Sequence, residues 1–352
     1  MTKTIFAGLA VVAATALTPQ IAAAQSAADV YKDRTVTILV GYGAGGTYGQ
    51  TSLLLARSMG KHIPGNPNVI VQHMPGAGGL KATNYAAKVM PKNGHNLLMP
   101  PEMSVVSELL RPKKVRYKTT DFTWLGVVFG ANQIMVVRRD TGIRSLADLK
   151  KKEIIVASTG TGSPTYLVPA MMNGVLGTKF KIVTGYKGSA GTSLSVERGE
   201  TFGMTNSWVS WKANRPQWFD KPAKNFVVKL AQVGFSKEKD LPNLPLLHEL
   251  ATNEDDKAAA AMLSTASIIG RGLVFPPGVP SSLIGPMRSA FWNTVTDAKF
   301  QADAKKRNLP VIPVKGAKIQ STIVSAMKTM SPAAIAKART YIFGKKVHKR
   351  KK

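Results

Sequence analysis

The stretch "TVTILVGYGAGGTYGQTSLLLARSM" (residues 35–59) decides how the rest of the chain is read. A β-branched apolar run over residues 35–40 meets a burst of glycine, and a helical apolar pattern follows. Gly41, Gly43 and Gly46 fit G-x-G-x-x-G between a strand and a helix, the spacing that seats a dinucleotide pyrophosphate. That reading carries its own test, because an acidic residue about twenty positions further on must bind the ribose hydroxyl. From Arg34 through Pro101 there is no Asp or Glu, so the ribose ligand is missing and dinucleotide binding falls. What survives is the physics beneath the motif: backbone N–H groups at a glycine-rich turn and a helix N-terminus favour an anion. Arg57, Lys61, Lys81, Lys88 and Lys92 raise the local potential, with no carboxylate among them to offset it.

The arrangement recurs in "IVASTGTGSPTYLVPAMM" (residues 155–172), again a strand, a Gly/Ser/Thr-rich turn and a helix opening. Ser158, Thr159, Thr161, Ser163 and Thr165 supply hydroxyls there. Taken alone, such a turn serves equally well as a tight turn and N-cap. Two of them on separate strand–helix units suggest a pincer for one anionic ligand.

Outward from these turns, strand-like and helix-like runs alternate. Strands are expected over residues 68–72, 96–99, 133–138, 153–157, 180–184 and 226–232, and helices over 47–62 and 163–176. Residues 281–300 and 317–338 read as helical. The alternation predicts an α/β fold with mostly parallel sheets flanked by helices, and the length calls for two domains.

Residues 1–24 read as a secretory signal peptide: Lys3 is the positive n-region, residues 5–17 the apolar stretch, and Ala22-Ala23-Ala24 the small-residue site before Gln25. The chain has no cysteine, hence neither a disulfide nor a lipidation site at the cleavage point. No later segment reaches the ~18 apolar residues of a membrane span, so a soluble periplasmic protein is expected. The balance of 48 Lys and Arg against 19 Asp and Glu gives a net charge of +29 and points to an anionic partner. No nucleic-acid-binding motif accompanies it, so small anions rank above nucleic acid. The terminal run over residues 345–352 reads as a solvated basic tail.

Nothing in the sequence assembles a catalyst, a metal site or a cofactor site. His62, His73, His95, His248 and His348 are scattered without ligand spacing. "KGSAG" misses the nucleophile elbow because Lys187 replaces the first glycine. Trp208, Trp211 and Trp218 read as packing residues.

Nine segments in order carry a resemblance: "VGYGAGG", "MPGAGG", "NLLM", "DFTWLGVV", "IRSLADL", "VASTGTGSP", "GYKGSA", "LPNLPLLHEL" and "PPGVP". With them the chain resembles the extracytoplasmic solute receptors of tripartite tricarboxylate transporters, the Bug-type receptors. The resemblance implies a two-lobed, type II periplasmic binding fold that closes like a clamshell. One lobe would hold residues 25–132 plus 263–352 and the other 133–262. The first carboxylate-binding turn then falls on Tyr42, Gly43, Ala44, Gly45, Gly46 and Thr47. The second falls on Ser158, Thr159, Gly160, Thr161, Gly162, Ser163 and Thr165. Gly76, Ala77 and Gly78, with Tyr186, Lys187 and Gly188, would complete the pocket.

The chain departs from the family where Tyr48-Gly49, His73-Met74 and Phe202 stand. Many members carry Asp, Asn-Arg and Asp there. An ammonium group would want those acids, so the expected ligand is a carboxylate without an amine, aromatic acids included. The function expected is capture of a small organic carboxylate by a monomer and its delivery to integral membrane transporter subunits. The rivals are a ligand sensor that signals to a membrane partner and an exported hydrolase. Cleavage between Ala24 and Gln25 is checked by the intact mass of periplasmic protein; a mass retaining residues 1–24 would refute the export reading.

Overall fold

A computed structural model describes residues 26–219 and 226–344. The expected signal peptide and basic tail lie outside the described residues. The chain begins with α1 (Ala27–Tyr31), β1 (Thr35–Val40), α2 (Thr47–Met59), β2 (Asn68–His73), α3 (Leu80–Lys88), β3 (Asn96–Met99), α4 (Ser104–Leu110) and β4 (Thr123–Val127). Its middle gives β5 (Gln133–Arg138), α5 (Leu146–Lys151), β6 (Ile154–Ser158), α6 (Pro164–Leu176), β7 (Phe180–Thr184), α7 (Ser189–Glu197), β8 (Gly203–Ser207), α8 (Trp208–Asn214) and β9 (Val227–Val233). Then come α9 (Glu254–Ala261), α10 (Ala266–Ile269) and β10 (Gly272–Phe275). The chain closes with α11 (Ile284–Thr296), α12 (Ala298–Lys305), the short β11 (Val314–Lys315), α13 (Gly316–Thr329) and α14 (Pro332–Phe343).

These strands form two sheets, β11-β4-β10-β3-β1-β2 and β7-β6-β8-β5-β9. The two-sheet α/β architecture is the one expected, but both sheets are mixed. β1 runs parallel to β2 and β3, while β10 lies antiparallel between β3 and β4. In the second sheet β6 runs parallel to β7 and β8, and β5 lies antiparallel between β8 and β9. Besides the short β11, antiparallel to β4, the reversed strands are β5 and β10, each the first to enter its sheet after the chain crosses from the other. Such a strand arrives without a βα crossover, so nothing obliges it to run with its neighbours.

Burial explains why the apolar runs were legible. Val36, Ile38, Leu39 and Val40 of β1, and Ile134 to Val137 of β5, are fully buried, as continuous β-branched runs in helix-covered sheets should be. Trp211 and Trp218 pack with Trp208 and Phe226 in a cluster behind the second sheet, which is their expected role. Four strands went unread in the sequence, β4, β8, β10 and β11, and so did the short helices α1, α4, α5, α8, α9 and α10. β8 reads GMTNS and β11 is two residues long, and neither offers apolar periodicity.

α13 covers the first sheet through Ile319 and Ile323, but α14 does not stay there. Ala338 and Ile342 join the core of the second sheet, where Tyr341 Oη donates to Asp256 Oδ1 at 2.6 Å on α9. Among the described residues no helix is long and apolar enough to cross a membrane. Ile342→Ala should therefore cost about 2–5 kcal/mol, the usual range for an emptied aliphatic core site. Urea denaturation checks this; an unchanged midpoint would show that α14 contributes nothing to the second core.

Candidate functional site

Each glycine-rich turn meets a segment from the other sheet: the first faces residues 187–190, and the second faces residues 77–80. The Gly43 N–H donates to the Lys187 carbonyl at 3.0 Å, and the Gly78 N–H donates to the Thr159 carbonyl at 3.1 Å. At Gly78 and Gly160 such approach requires glycine. Gly78 sits at φ 69°, and a Cβ there would lie 2.5 Å from the Ser163 nitrogen. A Cβ on Gly160, at φ 130°, would lie 2.6 Å from the Gly78 nitrogen. Gly45 faces Ala190, and its added Cβ would come within 2.9 Å of the alanine methyl. Gly45, Gly78 and Gly160 thus let facing backbone segments approach closely.

Beside this seam lies a small cavity of about 40 Å³ between the sheets. Of the residues singled out in the sequence, Tyr42, Gly43, Gly46, Thr47, Thr159, Ser163 and Thr165 line it. Gly76, Ala77, Gly78, Gly160, Gly162, Lys187 and Gly188 make the seam or its approaches, and Ala44 and Gly45 belong to the same first turn. Ser158 lies beneath, its hydroxyl 3.1 Å from that of Thr165, and Tyr186 packs against the tryptophan cluster. The Thr161 hydroxyl accepts from Arg111 Nη1 at 2.5 Å and is not part of the cavity wall.

Four helices present their N-terminal turns to this space. Gly46 and Thr47 open α2, Ser163 to Thr165 open α6, Ser189 opens α7, and Ser210 lies in the first turn of α8. Unpaired N–H groups and aligned peptide dipoles make each such end favour negative charge. The hydroxyls between them are already linked: Thr159 Oγ1 donates to Ser163 Oγ at 2.8 Å, and Ser163 Oγ lies 2.5 Å from Thr165 Oγ1.

The sequence reading missed the charged floor. Arg271, at the head of β10, donates through Nη1 to Glu102 Oε2 at 2.5 Å, with both side chains buried. Its Nη2 donates to Thr47 Oγ1 at 2.7 Å and to the Ser207 and Ser210 hydroxyls at 3.2 Å each. The guanidinium also stacks 3.9 Å above the Tyr48 ring, a cation–π contact. Burial alone would weaken the Arg271 proton, but Glu102 and the nearby tyrosines outweigh it and hold the group charged. Burial, aided by the Glu102 carboxylate, pushes the Tyr42 and Tyr48 hydroxyls far above their ordinary range. Both tyrosines therefore act as neutral hydrogen-bonding walls.

Backbone pairing holds Arg271 in place. The Arg271 N–H donates to the Phe129 carbonyl at 2.9 Å, and the Val128 N–H donates to the Arg271 carbonyl at 3.0 Å. Gly270 before it adopts φ 45°, where a Cβ would strike the Phe129 oxygen. Two clues were present: Glu102 is the first acid after the long carboxylate-free stretch, and Arg271 stands between two glycines before an apolar run.

No family model matches the chain. In sequence it is 32% identical over 186 residues to a UPF0065 protein of Agrobacterium vitis, covering 51% of this chain and about half (52%) of that one. It is 23% identical over 262 residues to a UPF0065 protein of a Pseudomonas species, covering 73% of this chain and 72% of that one. In structure it is similar to the periplasmic binding protein BugD, with a TM-score of 0.67 at 21% identity over 88% of this chain and 99% of that one. It is similar to MatC of Rhodopseudomonas palustris, solved with bound malate, with a TM-score of 0.64 at 17% identity over 86% of this chain and 99% of that one. Rpa4515 of R. palustris, solved with adipate, gives a TM-score of 0.64 at 18% identity over 87% of this chain and 97% of that one.

The fold is that of a two-lobed periplasmic binding protein. Within that class the chain's likeness is to the Bug-type receptors and UPF0065 proteins, as the nine segments implied. These similar structures are binding proteins.

Arg271→Met would leave Glu102 buried without its counter-charge and should cost about 3–5 kcal/mol of stability. Adding Glu102→Leu should recover most of that loss, because a buried pair replaced by apolar side chains is often nearly neutral. Chemical denaturation of both variants checks it; a double variant as unstable as the single one would show that the charge pairing is not the cause.

Proposed function

We propose that the protein is a periplasmic solute-binding receptor that captures a small organic carboxylate between two lobes and delivers it to a tripartite tricarboxylate-type membrane transporter. The observation that carries this reading is the cavity itself: four helix N-termini drawn from both sheets face one space. Its one acidic wall residue, Glu102, is paired with Arg271. Such a space favours an anion over a cation. Malate in MatC and adipate in Rpa4515 support a carboxylate.

The lobes of the proposal are residues 25–132 plus 263–352 and residues 133–262, with α14 reaching from the first to the second. The ligand would lie against the first turn through Tyr42 to Thr47 and against the second through Thr159, Ser163 and Thr165. Each turn alone offers half of the contacts, so the closed arrangement gains free energy only when the ligand bridges both, and ligand shifts the population toward closure. No covalent step is needed. The net charge of +29 would raise the encounter rate with anions, an effect that salt weakens.

The test is a thermal-shift screen of purified protein against mono-, di- and tricarboxylates. At a hundredfold excess over Kd, mass action supplies about 2.7 kcal/mol. For domains of this size that corresponds to roughly 2–4 °C per kcal/mol. Gly45→Val, which would press a side chain on Ala190, and Ser163→Ala should both stay folded and lose much of the shift. The absence of any shift from any carboxylate would overturn the proposal.

A further inference from the structure

One buried amide in the cavity wall has no partner for either of its polar atoms. Gln133, the first residue of β5, lines the cavity and is completely buried. Its backbone is in register with Ser207 of β8 and Val233 of β9. Neither its Nε2 nor its Oε1 has a hydrogen-bond partner. Buried amides rarely stay unpaired, because each lost bond leaves the full desolvation cost.

Its neighbours sharpen the contrast. The Asn132 amide donates to Gln232 Oε1 at 2.9 Å and to the Ser236 carbonyl at 2.6 Å. Thr205, also in the wall, donates to the Met135 sulfur at 3.1 Å. Both terminal guanidinium nitrogens of Arg271 are engaged, and only its Nε lacks a partner. Among the buried side-chain atoms of the wall, those left without a partner are therefore a donor and an acceptor on Gln133 and a donor on Arg271.

A carboxylate only accepts and would leave Gln133 Oε1 unmet, whereas an ammonium only donates and would leave Nε2 unmet. A hydroxyl accepts and donates at once and satisfies both halves of the amide. We infer that Gln133 reads a hydroxyl on the bound acid, so that the preferred ligands are short hydroxycarboxylates rather than their deoxy counterparts. The inference rests on the carboxylate-receptor reading and narrows it.

The test sets lactate and 3-hydroxypropionate against propionate, and malate against succinate, by titration calorimetry with the full-length mature protein and its Gln133→Leu variant. The wild-type protein should bind a hydroxylated member at least tenfold more tightly than its deoxy partner. Gln133→Leu should bind the two alike while retaining affinity for the deoxy acid. Its melting temperature without ligand should equal or exceed that of the parent, since two unpaired buried polar atoms have been removed. A variant that melts lower would assign Gln133 a structural role, and a variant that keeps the hydroxyl preference would show that another group reads it; either overturns the inference. Equal binding of hydroxylated and deoxy acids by the wild type overturns the inference and leaves the receptor standing. Failure of every acid to bind removes the receptor reading and the inference with it.

Discussion

Everything near the cavity depends on one buried ion pair, Arg271 with Glu102. A guanidinium out of water demands a counter-charge and a partner for each N–H. Here those partners come from both sheets: Glu102 and Thr47 from one side, Ser207 and Ser210 from the other. Its backbone pairs with Val128 and Phe129, where the chain first leaves the sheet that Arg271 later rejoins. A single side chain thus fixes the floor of the cavity, the height of the Tyr48 ring above it, and the distance between α2 and α8.

Neutralising Glu102 in this way changes the character of the space around it. Without Arg271 the carboxylate would repel an anionic ligand and cancel the helix ends that face it. With the charge matched, the residual field belongs to the four N-terminal turns, and it is positive. The hydroxyls of Thr159, Ser163 and Thr165 hold one another in place, so they need little reorganisation when a ligand's oxygens arrive. On the proposed reading, affinity for the acid comes from these fixed dipoles and selectivity among acids from Gln133.

How much of this was legible in the sequence follows from the kind of signal each part leaves. β1, β3, β5 and β6 announced themselves because buried strands in covered sheets are continuous apolar runs between breakers. Both glycine turns were legible as turns, yet their partners were not, since Gly43 and Lys187, like Gly78 and Thr159, are far apart in the chain and only the fold brings them together. Strand direction was hidden for the same reason: β-α alternation counts elements and says nothing of the side from which β5 and β10 enter. Gln133 was read as the start of a strand and no more, because a polar residue at a strand end is ordinary until its burial is known. Arg271 and Glu102 were missed because they are 169 positions apart.

The return of α14 to the second sheet has a mechanical consequence. Two strands of backbone joining two bodies act as a strip, and a strip both bends and twists. The short link between α13 and α14 is a third crossing, anchored through Ile319 and Ile323 at one end and Ala338 and Ile342 at the other. A third crossing restrains the two cores against each other more than two would, and on the proposed reading any opening of the cavity must move Ala338 and Ile342 with the second core or strain their contacts.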